Sequence, residues 1–263
     1  MDGECAELEW SPIVSAPVHS AFAGVLAGLV FAGIVVLLSG AGDQVRRTNA
    51  LVTFGSSFLV LAFDAFLFGV IAGERVCGRA WTETLYASGL LGLGALGIFA
   101  GICWLIDAGD TTSGRMTRFY VVTTYVIALI VSYHVGATAI EYLDDLRRTS
   151  SVPGWLVAVA AGYRWVMLAA VLLVGASPRL RRRWGTLVTS TAYAYVACVV
   201  LALYGAGGAS GSAQDWTHPS AALIAGNTVL ALAFPALAVL AQVITLPSRV
   251  PAVVEEQEPE RRT

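Results

Sequence analysis

Seven apolar runs, each long enough to cross the hydrocarbon core of a bilayer as a helix, dominate this sequence of 263 residues. They lie at about 15–40, 50–72, 84–107, 117–140, 154–176, 186–206 and 219–246. Only 13% of the residues are charged, whereas about a quarter is typical of a soluble domain. The pattern therefore predicts an all-α, polytopic integral membrane protein built as a seven-transmembrane-helix bundle.

The connections between the runs are short, which predicts one up-and-down bundle without a separate soluble domain. We expect a short extracytoplasmic segment at 1–14, the transmembrane domain at 15–247 and a disordered cytoplasmic tail at 248–263. The first ten residues contain no Lys or Arg, so they lack the positive region of a cleaved signal peptide. The first apolar run is therefore expected to remain as a membrane span.

The arginines predict the orientation, because basic loops are retained in the cytoplasm. One set of connections carries most of them, at Arg46, Arg47, Arg115, Arg118, Arg179, Arg181, Arg182, Arg183 and Arg249. This places the N-terminus outside and the C-terminus in the cytoplasm of the cytoplasmic (inner) membrane. All 16 basic residues are arginine, a bias typical of a high-GC bacterium. The absence of lysine excludes a retinal Schiff base.

Polar side chains inside the spans are the best guide to function, since ionisable groups there are costly. Asp64, His134, Arg164 and Asn227 lie on four different spans, roughly 9 to 15 Å below the outer surface at 1.5 Å per residue. Aromatic and acidic neighbours at or near this layer are Tyr133, Tyr163 and Glu141. Together these seven residues predict an outward-facing polar pocket that binds a ligand.

The outer segments contain more acids than arginines, which favours a cationic or zwitterionic ligand. In the leading hypothesis the protein binds or translocates this small extracytoplasmic ligand. Asp64 is its charge partner, Arg164 the counter-ion and His134 a titratable neighbour. The alternative for Asp64 and Arg164 is a buried ion pair that only fixes the register of the helices.

A second hypothesis is a membrane-embedded, metal-dependent enzyme, because His19, His134 and His218 all lie in the outer half and suit zinc, copper or iron. The residue types Ser57, Asp64 and His134 are similar to those of membrane hydrolases resembling alkaline ceramidases and adiponectin receptors, which bind zinc among seven helices. That family has paired histidines, four residues apart, in its last span. Here the last span offers only His218 at its start, so membership is not assigned.

Other cofactors and partners are less constrained. Two of the histidines would suit a haem in a redox or sensor subunit, although no CxxCH sequence and no nucleotide-binding motif occurs. A third hypothesis is a structural subunit of a larger membrane complex. Membrane lipids are expected partners, nucleic acid is not, and the sequence leaves open whether the chain forms a homo-oligomer.

Two further features bear on packing and redox state. Glycines at Gly89, Gly92, Gly94, Gly97 and Gly101 on the third span, and at Gly24 and Gly28 on the first, have spacings that predict close helix packing. Cys5 and Cys77 both lie in segments predicted to be outside the cytoplasm, where oxidation is permitted. We therefore expect a Cys5–Cys77 disulfide.

Overall fold

The computed structural model describes residues 11–39, 44–108, 114–148, 150–177 and 219–247, together with residues 179, 192, 195 and 216. Within this part of the chain the long elements are α-helices. In chain order they are α1 Pro12–Ser39, α2 Gln44–Ala72, α3 Cys77–Ala108, α4 Gly114–Leu146, α5 Gly154–Ala176 and α6 Ala221–Ile244.

All six helices are long and apolar enough to cross a membrane. The chain is therefore a multi-pass membrane protein with a helical bundle. The predicted span at 186–206 lies outside the described residues, apart from Ala192 and Tyr195. The predicted N-terminal segment, up to residue 10, and the tail from residue 248 lie outside them as well.

Several helices are longer than the apolar runs that predicted them. Helix α3 begins at Cys77 instead of 84, and α4 continues to Leu146 instead of ending at 140. A helix can continue into the polar interface because its backbone hydrogen bonds are internal, so hydropathy alone underestimates the length of the helix at both kinds of end. As a result the acidic residues Glu141, Asp144 and Asp145 stand on a helix, where their side chains follow helical periodicity.

Contacts between helices fix their directions. Ser20 on α1 donates a hydrogen bond of 2.8 Å to the carbonyl of Ala65 on α2, as expected of an antiparallel hairpin. Tyr86 on α3 donates one of 3.0 Å to Asn227 on α6, and a Cβ placed on Gly89 would meet Pro235. Helices α3 and α6 therefore run parallel. We call the end of the bundle where α1, α3, α5 and α6 begin the near end, and the opposite end the far end.

Helix α3 lies at the centre of the described bundle, since it packs against α1, α2, α4 and α6. Its glycines make this possible. A Cβ on Gly94, Gly97 or Gly101 would overlap, respectively, Leu61, Ser57 and Phe54 of α2. On another face a Cβ on Gly92 would approach Val131 of α4 to 2.6 Å. The packing role predicted for the α3 glycines is confirmed.

The same prediction is wrong for the glycines of α1. A Cβ placed on Gly24 or Gly28 would meet no atom within 4 Å, and both residues are exposed. Helix α1 packs against α2 through a different face, formed by the buried residues Ala16, Ala23 and Ala27. Alanine permits a close helix approach just as glycine does, so glycine spacing alone did not identify the contact face.

Candidate functional site

A cavity of about 640 Å³ lies among α1, α2, α3 and α4 at the near end of the bundle. Its walls combine polar, acidic and aromatic side chains from all four helices. The lining residues are Ser15, His19, Phe68, Trp81, Thr84, Ser88, Leu91, His134, Thr138, Glu141, Asp144, Asp145 and Arg148.

Helical periodicity explains how two of the walls form. The α3 wall consists of Trp81, Thr84, Ser88 and Leu91, which recur every three or four residues and so share one face. The α4 wall follows the same spacing through His134, Thr138, Glu141, Asp145 and Arg148. The α4 wall contains charged residues beyond its apolar run, and the α3 wall begins at Trp81, before the run of that helix. The cavity therefore occupies the interfacial end of the bundle and extends down to the depth of His134.

The two histidines enter the cavity from opposite sides. Nδ1 of His19 donates a hydrogen bond of 2.9 Å to the carbonyl of Ser15, and the ring stacks on Phe68 with centroids 5.0 Å apart. This leaves Nε2 of His19 as the ring atom available to a ligand. On α4 the side chain of His134 is exposed. Helix α1 packs mainly on α2, and α1 and α4 form no extensive contact with each other in the described part of the chain.

The electrostatics of the cavity favour a positive charge. Glu141, Asp144 and Asp145 contribute three carboxylates, against the single guanidinium of Arg148. Asp144 is also 3.5 Å from Arg147 in an exposed ion pair, a contact that contributes little to binding or stability in water. Glu141 is exposed and makes no ion pair among the described residues, so its charge is available to a ligand.

Of the residues predicted to bind a ligand, only His134 and Glu141 line this cavity. Tyr133, Tyr163 and Arg164 lie together at the α4–α5 contact instead. The guanidinium carbon of Arg164 is 5.2 Å from the ring centroid of Tyr133, within cation–π range. Arg164 and Tyr163 both pack against Gly136. This contact accounts for an arginine in the span without assigning it to the cavity.

Asp64 is fully buried on α2. The face that includes Ser57 and Leu61 packs on α3, and Asp64 continues that face by one turn. Asp64 and Arg164 do not form the ion pair considered from the sequence, because α2 packs on α1 and α3 whereas α5 packs on α4 and α6. Neither carboxylate oxygen of Asp64 has a hydrogen-bond partner within the described part of the chain. The predicted layer of polar residues is thus divided among separate helix contacts.

We expect the substitution Asp64→Val to raise the free energy of unfolding by about 1 to 3 kcal/mol. A buried polar group without a hydrogen bond costs about that much, and valine is close to aspartate in volume. Chemical unfolding of the purified protein in detergent would measure the change. Asp64→Asn retains two polar atoms at the same position and should give a smaller gain. A loss of stability in Asp64→Val would contradict the unpartnered state of this carboxyl group.

Asn227 is the fourth member of the predicted layer. It is buried between α6 and α3, where its amide accepts the hydrogen bond from Tyr86 and donates one of 2.9 Å to the carbonyl of Leu223. Both polar atoms of its side chain are therefore satisfied by protein groups. Asn227 fixes the contact of α6 with α3 and does not line the cavity.

The residues predicted to bind a metal are only partly described. His19 and His134 line one cavity, whereas His218 lies outside the described residues. Across the described ranges, no group of three or more His, Cys, Asp or Glu side chains is arranged to hold a metal ion. Cys5 also lies outside those ranges. Cys77 is disulfide-bonded, and Cys103 is free and buried.

Several lining residues were not singled out by sequence reasoning. Trp81, Thr84 and Ser88 of α3 lie within or beside an apolar run, and Ser15 and Phe68 carry no charge. A usable signal was present on α4, where Asp145 and Arg148 continue the spacing of His134, Thr138 and Glu141. Extending that spacing beyond the apolar run would have found them.

Comparison with known proteins adds no relative: no protein-family model, no curated protein and no solved structure matches the chain.

Proposed function

We propose that this protein binds a small organic cation, which enters from outside the cell into the cavity among α1 to α4. The observation that carries the proposal is the clustering of His19, His134 and Glu141 from two helices in one cavity with an acidic lining. The carboxylates attract and pair with the cation. The rings of Phe68 and Trp81 supply aromatic walls of the kind that bind ammonium groups.

The orientation of this cavity is part of the proposal. Arg115 and Arg118 lie at the beginning of α4, at the far end, which fits a cytoplasmic far end under the positive-inside rule. Cys77 begins α3 at the near end and is disulfide-bonded, which fits an oxidising compartment outside the cytoplasm. The near end then faces the outside of the cytoplasmic membrane.

The seven-span topology belongs to the same proposal. Helix α5 runs antiparallel to α4, since Gly136 of α4 meets Arg164 and Gly175 of α5 meets Tyr125. It therefore begins at the near end and ends at the far end, while α6 begins again at the near end. The positions of these two helix ends favour the apolar run at 186–206 as the remaining span, with the N-terminus outside and the C-terminus in the cytoplasm.

The test is equilibrium binding of tritiated n-butylamine to the purified chain in lipid nanodiscs, by scintillation proximity. We expect saturable binding that n-butyrate, an anion with a chain of the same length, does not displace. Glu141→Gln should weaken the binding about tenfold or more, since a charge-assisted hydrogen bond contributes about 1.5 to 3 kcal/mol.

Two matched variants locate the effect. Glu74→Gln makes the same chemical change at the near end, but Glu74 pairs with Arg79 at 2.9 Å and does not line the cavity, so binding should change little. Asp64→Asn distinguishes this cavity from the pocket predicted from the sequence, in which Asp64 pairs with the ligand. Only binding in that second pocket would be lost with this change. Normal binding by Glu141→Gln together with loss in Asp64→Asn would overturn the proposal.

A further inference from the structure

One face of α3 connects the polar cavity to an apolar groove. Beyond the cavity residues Trp81, Thr84, Ser88 and Leu91, the same helical spacing continues through Ala95, Ile98, Ile102 and Leu105. Most of α3 is buried, but Leu91, Ala95, Ile98 and Ile102 are only partly buried, and Leu105 is exposed. The central helix thus has a single partly exposed stripe, which is polar at the near end and apolar below it.

The gap between α1 and α4 makes this stripe the floor of a groove. Helix α1 contacts α2 extensively and α3 only slightly, so among the described helices it covers this face of α3 only in part. Leu91, Ile98 and Ile102 of the floor pack against the same apolar cluster as Leu26 of α1. Helix α1 therefore forms the first wall. Ile130, one turn below His134 on α4, is 60% exposed and continues the other wall.

The dimensions of the groove suit a hydrocarbon chain. From Leu91 to Leu105 the stripe is about 21 Å long at 1.5 Å per residue, which is more than half the depth of a bilayer core of about 30 Å. The floor residues Leu91, Ala95, Ile98, Ile102 and Leu105 are all apolar, whereas the lining of the cavity above them contains Glu141, Asp145 and Arg148. A ligand that fills both parts has a polar cationic head and an apolar tail.

We infer that the ligand of the cavity is a long-chain amphiphile, whose amine-bearing head lies near Glu141 and whose alkyl chain lies along Ala95, Ile98 and Ile102. This inference rests on the proposed function and names its ligand class. Such a molecule would enter from the outer half of the bilayer between α1 and α4, which form no extensive contact with each other in the described part of the chain. The exposed position of His134 places it at the junction of head and tail.

The experiment is a competition series in which n-butylamine, n-decylamine and n-hexadecylamine displace tritiated n-butylamine from the chain in nanodiscs. Thr82 lies opposite Tyr142, so Ala95 is about 18 Å below Glu141 at 1.5 Å per residue, and only the longest chain spans that distance. Each methylene that enters an apolar site improves affinity about fourfold. We expect at least about a tenfold gain from decyl to hexadecyl, because part of the chain already resides in lipid. Ala95→Phe, which fills the groove floor, should abolish that gain and leave butylamine affinity within about twofold.

Ala169→Phe is the matched control, since Ala169 is an exposed alanine in the middle of α5 and lies away from the groove. This variant should retain the full gain with chain length. A gain that persists in Ala95→Phe, or no gain in the unmodified chain, overturns the amphiphile and leaves the cation site intact. Butylamine binding that is absent, or independent of Glu141, overturns the cation site and the amphiphile together.

Discussion

Gly97→Leu should unfold or severely loosen the bundle, with a loss of about 3 kcal/mol or more in the free energy of unfolding. Even a Cβ at this position would overlap the side chain of Ser57 on α2. Ser57 cannot move aside cheaply, because its hydroxyl donates a hydrogen bond of 2.9 Å to the carbonyl of Thr53 and its side chain is fully buried. Inserting several carbons into such a contact forces the helices apart.

Gly24→Leu is the control, because it makes the same change in the middle of another helix. No atom lies within 4 Å of a Cβ at Gly24, so the new side chain extends into lipid. The gain in helix propensity, a little under about 1 kcal/mol, is common to both variants and cancels in the comparison. Thermal unfolding in detergent, followed by circular dichroism, would compare them. Equal stability of the two variants would contradict the close packing of α2 on α3.

The fold class was predictable from the sequence because the bilayer imposes simple conditions on it. A run of about 20 apolar residues without charges has few alternatives to a spanning helix. Four of the six described helices begin within three residues of their predicted runs, and the apolar part of each was identified. The helix ends at Cys77 and Leu146 were missed since polar turns at the membrane surface carry no hydropathy signal.

The candidate site was predictable only in part. Depth along a span follows from residue number, and on that basis Asp64, His134 and Arg164 were placed at similar levels. The direction of each side chain around its helix axis, and the identity of the neighbouring helix, do not follow from depth. Asp64 faces α3 and Arg164 lies at the α4–α5 contact, so equal depth did not bring them together.

Residues at the membrane surface were underestimated for a related reason. Glu141 was predicted in one pocket with His134, but the neighbouring acids Asp144 and Asp145 entered the prediction only as part of the negative outer segments. Their position on α4 was not used. Once α4 is extended to Leu146, Glu141 and Asp145 share a face with His134. The acidic outer segments and the intramembrane histidine are then parts of one cavity.

Chemical labelling of a cysteine inside the cavity would show whether the cavity admits cations selectively. Thr138 lies on the cavity face of α4 between His134 and Glu141, so Thr138→Cys places a thiol on the wall. We expect a trimethylammonium-bearing methanethiosulfonate reagent to modify it about tenfold or more faster than a sulfonate-bearing one, because an acidic cleft concentrates cations and repels anions. Intact-mass spectrometry gives both rates.

The unmodified chain, which carries all four native cysteines, is the control for labelling elsewhere. Of the two in the described part of the chain, Cys77 is disulfide-bonded and Cys103 is buried. Neutralising the lining with Glu141→Gln, Asp144→Asn and Asp145→Asn should bring the two rates close together.

The measurement that tests the central claim most directly is this ratio of cationic to anionic labelling at Thr138→Cys in lipid nanodiscs. An accessible, acidic cavity predicts rapid modification, a large ratio in favour of the cation, and its collapse when the three carboxylates are removed. A thiol that neither reagent reaches, or that both modify at the same rate, would contradict a cation-binding cavity among α1 to α4.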